Sequence, residues 1–131
     1  MSQENVEVVR GLFEAWNAQD MDRLRALFDP AVVVRAPEGW PEPGPFVGAE
    51  AVMRQWNQMR ETFEADSLRI TGDPVASADR VLARLVWRAT GHGPETDMEM
   101  TGLWTVRGGL VYHVEFFWDH AEALKAVGLA E

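Results

Sequence analysis

Residues 103–117, LWTVRGGLVYHVEFF, decide how this chain folds. Two runs rich in aromatic and β-branched residues flank Arg107-Gly108-Gly109, and adjacent glycines supply the positive φ that a tight hairpin turn needs. The stretch predicts two antiparallel strands, Asp97–Val106 and Leu110–Trp118. Working towards the N-terminus, Arg80–Gly91 reads as a long strand and Ser67–Gly72 as a short one. Working towards the C-terminus, Asp119 to Glu122 has the D-x-x-E pattern of a capping box, opening a short helix that closes at Gly128.

The first half of the chain carries a different period. Val6, Val9, Phe13 and Trp16 recur at three- and four-residue spacing, the pattern of one helix face, with Ser2 as its N-cap. Asp20 caps a second helix with Met21, Leu24, Leu27 and Phe28 as its apolar stripe, and Asp29-Pro30 stops it. Ala31–Arg35 reads as a small strand, residues 36–47 as a stiff proline-rich loop. Gly48 leads into a third helix carrying Val52, Trp56, Met59 and Phe63, which ends between Glu64 and Asp66. Helices segregated from a bent antiparallel sheet make an α+β architecture. With no linker or repeat in sight, residues 1–131 read as a single domain.

The composition narrows the function. The chain has 131 residues and a net charge of −9, from 12 basic and 21 acidic side chains. That balance argues against nucleic-acid binding, which needs cations to displace counterions, and against anionic membranes. Zero cysteines remove disulfides and thiolate metal sites and fit a cytoplasmic location, and the opening MSQENVEVVRG contains no secretory pattern. No metal site and no cofactor are expected, for want of clustered ligands or a glycine-rich phosphate loop.

FEAWNAQDMDRLRALFDP, VVVRAP, GAEAVMRQW, the glycine hairpin and the closing WDHAEALKAVGL together resemble the SnoaL-like branch of the nuclear transport factor 2-like superfamily. The resemblance implies a cone: a strongly bent sheet wraps three helices and leaves a pocket at its concave face. Polyketide cyclases, ketosteroid isomerases and binding modules share that fold, so fold alone does not give function. The isomerases' tyrosine, general base and protonated aspartate fall on Leu12, Ala36 and Gly102, none of which moves a proton. The resemblance also implies which strand residues face inward. On the long strand these are Ala83, Leu85, Trp87 and Ala89; on the hairpin strands they are Met98, Met100, Trp104, Val106, Tyr112, Val114, Phe116 and Trp118. Leu12, Trp16, Trp56 and Met59 face them from the helices, with Tyr112 as the one inward hydroxyl. No inward carboxylate is expected on the strands. Arg84, Arg88, Glu99, His113 and Glu115 gather on the convex face, where a homodimer interface with Val86 and Phe117 is expected.

Two function classes follow. One is binding of a small hydrophobic, ring-containing molecule in an aromatic pocket. The other is a SnoaL-type cyclase, isomerase or hydrolase acting on a polyketide- or terpenoid-like substrate, with Asp119, His92 and Tyr112 as its acid–base candidates. Each has a plainer structural reading: Asp119 as a helix cap, His92 as a loop residue, the tryptophans as core filling.

Overall fold

The computed structural model describes residues 2–40, 44–91, 96–126 and 128. Helix α1 (Ser2–Asn17) leads into α2 (Met21–Ala26), whose first turn Asp20 caps by accepting from the Arg23 N–H at 3.1 Å. Strand β1 (Phe28–Arg35) pairs with the two-residue β2 (Phe46–Val47), and α3 spans Ala49–Thr62. Strands β3 (Ala65–Ile70), β4 (Val75–Ser77), β5 (Arg80–Thr90), β6 (Thr96–Arg107) and β7 (Leu110–Phe117) precede α4 (His120–Ala126). The sheet runs β2-β1-β7-β6-β5-β3, with β4 paired to β5. It curls around the N-terminal helices without closing, an α+β cone with a short helix at its C-terminal end.

All pairings are antiparallel except β1 with β7, which is parallel. No hairpin joins those two, so nothing in the local sequence announces their relation. β1 also begins earlier than Asp29-Pro30 suggests. Phe28 lies in the strand, not on the α2 stripe, and the β1–β7 register shifts between Phe28 and Val33, an irregularity that accommodates Pro30. The hairpin glycines have φ of 59° and 79°, the sign a type I′ turn requires at both positions.

The main core lies on the concave side, where Val9, Leu12 and Trp16 of α1 and Val52 of α3 meet Val34, Leu85, Trp104 and Val114. A smaller cluster sits on the convex side: Ala123 of α4 packs on Leu82 and Leu103, with Phe117 and Leu124 beside them.

The β6–β7 ladder contains the feature that matters most for the site. Thr105 pairs with His113, yet Val106 pairs with Val111, so β7 carries one extra residue, Tyr112. A β-bulge of this kind reverses which face the following residues present. Val111 and Val114 both point into the core, three residues apart, and Tyr112 is left outside.

Candidate functional site: an aromatic cavity backed by a buried carboxylate

The cone holds a partly open cavity of about 110 Å³. Strand alternation brings Leu85, Trp87, Met100, Trp104 and Phe116 to one wall, and helical spacing brings Leu12, Phe13, Trp16, Trp56 and Met59 to the other. Ala36, Pro37 and Trp40 reach it from the loop after β1, and Phe46 from β2. The rings meet edge to face: Phe13 with Trp104 at 5.7 Å, Trp104 with Phe116 at 6.1 Å and Trp16 with Trp56 at 5.8 Å between centroids. These contacts fill much of the cone and still leave the cavity. Among its lining residues Gln55 alone bears an amide, and that amide has no hydrogen-bond partner among the described residues.

Trp104 keeps its place because of Gly102. The six-membered ring of the indole lies over the Gly102 Cα, where any side chain would otherwise stand. Of the three positions that match the isomerase residues, Leu12 and Ala36 therefore line the cavity and Gly102 lies beneath an indole.

Behind the wall is a group that the sequence reading missed, and it corrects the expectation of no inward carboxylate. Asp66 of β3 is buried (side chain 5% exposed), and its Oδ2 accepts from Trp16 Nε1 at 2.7 Å and from Trp87 Nε1 at 2.8 Å. Arg60 of α3, 11% exposed, stands 3.5 Å from Oδ1. The guanidinium also donates to the Trp16 carbonyl at 2.8 Å and lies 4.5 Å from the centroid of the Trp16 ring. The sequence signal was the alternation Asp66-Leu68-Ile70, hidden by the expectation that α3 extends to Asp66. Its donors occupy the carboxylate, and it does not itself line the cavity.

Nine of the twelve residues expected at the pocket line it: Leu12, Trp16, Trp56, Met59, Leu85, Trp87, Met100, Trp104 and Phe116. Three do not. The bulge turns Tyr112 outward, leaving it 41% exposed with its ring 4.6 Å below the Arg107 guanidinium. Val114 is fully buried in β7 between Val34 and Trp104, and those two neighbours, not Val114, line the cavity. Trp118 follows the last strand residue, so sheet alternation no longer aims it. Its Nε1 donates to the Glu38 carbonyl at 2.9 Å and its ring stands behind Trp40, 5.9 Å away.

The acid–base candidates are not brought together. Asp119 is exposed and accepts from the Ala121 N–H at 2.9 Å, a cap for α4. His92 lies outside the described residues. On the convex face Arg88 pairs with Asp97, at 2.8 and 3.1 Å. That contact with Arg88 holds the Asp97 carboxyl below its usual range. Arg35, opposite in parity to the cavity-lining Val34, is exposed. No group of three or more metal-ligating side chains occurs among the described residues.

His120, at the start of α4, lies 3.1 Å (Nδ1) from the buried Thr101 hydroxyl. Burial first, then the Arg84 charge, lowers its pKa from the ordinary value, against an opposing effect of Asp119. The unfolded chain then takes up this proton at a higher pH than the folded one. The histidine's contribution is intact above about pH 6.5 and is lost as pH falls below it. His120→Gln should flatten the decline in urea midpoint between about pH 7.5 and 5.5; an unchanged slope would contradict this account.

Comparison with known proteins agrees with this fold. A family model described as a SnoaL-like domain matches residues 9–114. Wild-type IdmH of Streptomyces antibioticus, described as a candidate polyketide cyclase, is 23% identical with a TM-score of 0.73, covering 86% of this chain and 89% of its own. Bal32a, from a soil-derived mobile gene cassette, is 23% identical with a TM-score of 0.80, covering 88% of each chain. A nuclear transport factor 2-like protein of unknown function from Burkholderia pseudomallei is 21% identical with a TM-score of 0.77, covering 95% of this chain and 98% of its own. No curated protein sequence matches significantly.

Proposed function

The chain belongs to the SnoaL-like domain family, and from that premise we propose that it binds a small hydrophobic, ring-containing molecule in the cavity of the cone. One observation carries the reading. A cavity of about 110 Å³ survives among tightly packed aromatic rings, and apart from the Gln55 amide and indole N–H groups its lining is apolar. Aromatic faces with few polar anchors suit a flat apolar ligand. Turnover would need a titratable group at the ligand. Among the described lining residues there is none, and the one buried carboxylate nearby is spent on Trp16 and Trp87. Binding is therefore placed ahead of the cyclase, isomerase or hydrolase reading, and inertness as a ketosteroid isomerase belongs to the same proposal.

With Tyr112, the hydroxyl expected to face inward, turned out of the cone, Gln55 is the polar anchor of the cavity. Its amide both donates and accepts, so a ligand hydroxyl or carbonyl would find a partner there. Titrating tryptophan fluorescence with naphthalene and with 2-naphthol tests both points. Saturable changes with both are expected. Gln55→Leu should weaken 2-naphthol by about 0.5–1.5 kcal/mol and spare naphthalene. No saturable change with either compound would overturn the binding proposal; equal loss for both would remove Gln55 as the anchor.

A further inference from the structure

We propose that Asp66 is a positioning residue: through one carboxylate oxygen it holds the Trp16 and Trp87 indoles with their carbon faces towards the cavity. The cavity's preference for flat rings then depends on a buried charge that touches no ligand. The inference rests on the binding proposal for its consequence, not for its geometry.

Trp16 comes from α1 and Trp87 from β5, elements 71 positions apart in the chain at these residues. Both N–H groups nonetheless converge on Asp66 Oδ2, at 2.7 and 2.8 Å. An indole offers a single donor, so fixing that donor fixes the edge of the ring and leaves its faces for packing. Hydrogen bonds to an ionised acceptor are the strong kind, and in a buried site they constrain orientation further. Arg60 completes the unit: it faces Oδ1, holds the Trp16 carbonyl and lies against the Trp16 ring. With both donors turned to Asp66, neither indole has an N–H left for a ligand. Trp16 and Trp87 present hydrocarbon to the cavity, and polarity there is left to Gln55 and the indoles of Trp40, Trp56 and Trp104.

Asp66→Asn keeps an acceptor oxygen but loses the charge; Asp66→Ala loses both. The affinity of naphthalene relative to decalin, a puckered ring pair, should fall in the order wild type, Asn, Ala. The Asn variant should bind naphthalene about five- to tenfold more weakly. Leu82→Ala, in the separate convex-face cluster, lowers stability without touching the indoles and should leave the ratio unchanged.

A readout independent of ligand accompanies this. In wild-type protein the indole N–H protons of Trp16 and Trp87 should exchange with deuterium more slowly than the exposed Trp118. In the Asn variant that protection should fall and the near-ultraviolet dichroism of the tryptophans should change. If wild type binds neither compound, the binding proposal fails and the exchange and dichroism data still decide the positioning role. If the Asn variant keeps the naphthalene preference, or its two indole protons stay as protected as in wild type, the positioning role is refuted.

Discussion

Asp66→Ala is expected to cost about 3–5 kcal/mol of folding stability, the range for removing one partner of a buried ion pair. Three groups lose their acceptor at once. The Arg60 guanidinium, 11% exposed, keeps only its bond to the Trp16 carbonyl, and the Trp16 and Trp87 N–H groups are left with nothing to donate to. Each stranded donor in a dry site carries its own desolvation cost. Adding Arg60→Met should recover part of the loss, because the uncompensated charge then goes as well. Urea denaturation of both variants checks this. A loss below about 1 kcal/mol for Asp66→Ala would mean that water reaches the site and pairs what the carboxylate leaves.

Gly102→Asp is expected to be at least as damaging, and it bears directly on function. A Cβ at this position would stand 2.7 Å and 2.8 Å from Trp104 Cζ3 and Cζ2, distances that real Cβ atoms do not show. The indole must leave, at a cost of about 1–3 kcal/mol for overpacking, before the cost of a buried unpaired carboxylate is counted. Trp104 also anchors Phe13 and Phe116, so the cavity wall should come apart with it. Isomerase chemistry is therefore not one substitution away: an aspartate here displaces the ring that shapes the cavity. Pairing the change with Trp104→Ala should leave a smaller loss than the two single losses summed, because the clash is then gone. Strict additivity would refute the steric account.

How far the fold and the site could be read from sequence depended on whether local pattern or long-range register decided each element. The hairpin was legible because Gly108-Gly109 separates two runs whose chemistry suits strands, and the facing implied by the family resemblance, carried along the strands by alternation, put Leu85, Trp87, Met100, Trp104 and Phe116 at the cavity. Tyr112 was misplaced because alternation assumes an uninterrupted ladder. One extra residue reverses the faces, and the only trace in the sequence is the three-residue spacing of Val111 and Val114. Trp118 was misplaced because alternation was carried past the end of β7. Asp66 escaped because one misread boundary, the end of α3, removed it from the strand whose alternation would have turned it inward beside Leu68 and Ile70. Alternation marks the inward side of Asp66, but its meeting with two tryptophans distant in the chain is a tertiary arrangement that no local signal marks. The parallel contact of β1 with β7 is likewise long-range.

The most direct test of the binding account is nuclear Overhauser contact between 2-naphthol and isotopically labelled protein. The account predicts contacts from the naphthol ring protons to the side chains of Trp104, Met100 and Phe116, with the hydroxyl end nearest Gln55. Contacts confined to the convex face around Tyr112, Arg107 and His113, or none under saturating naphthol, would contradict it.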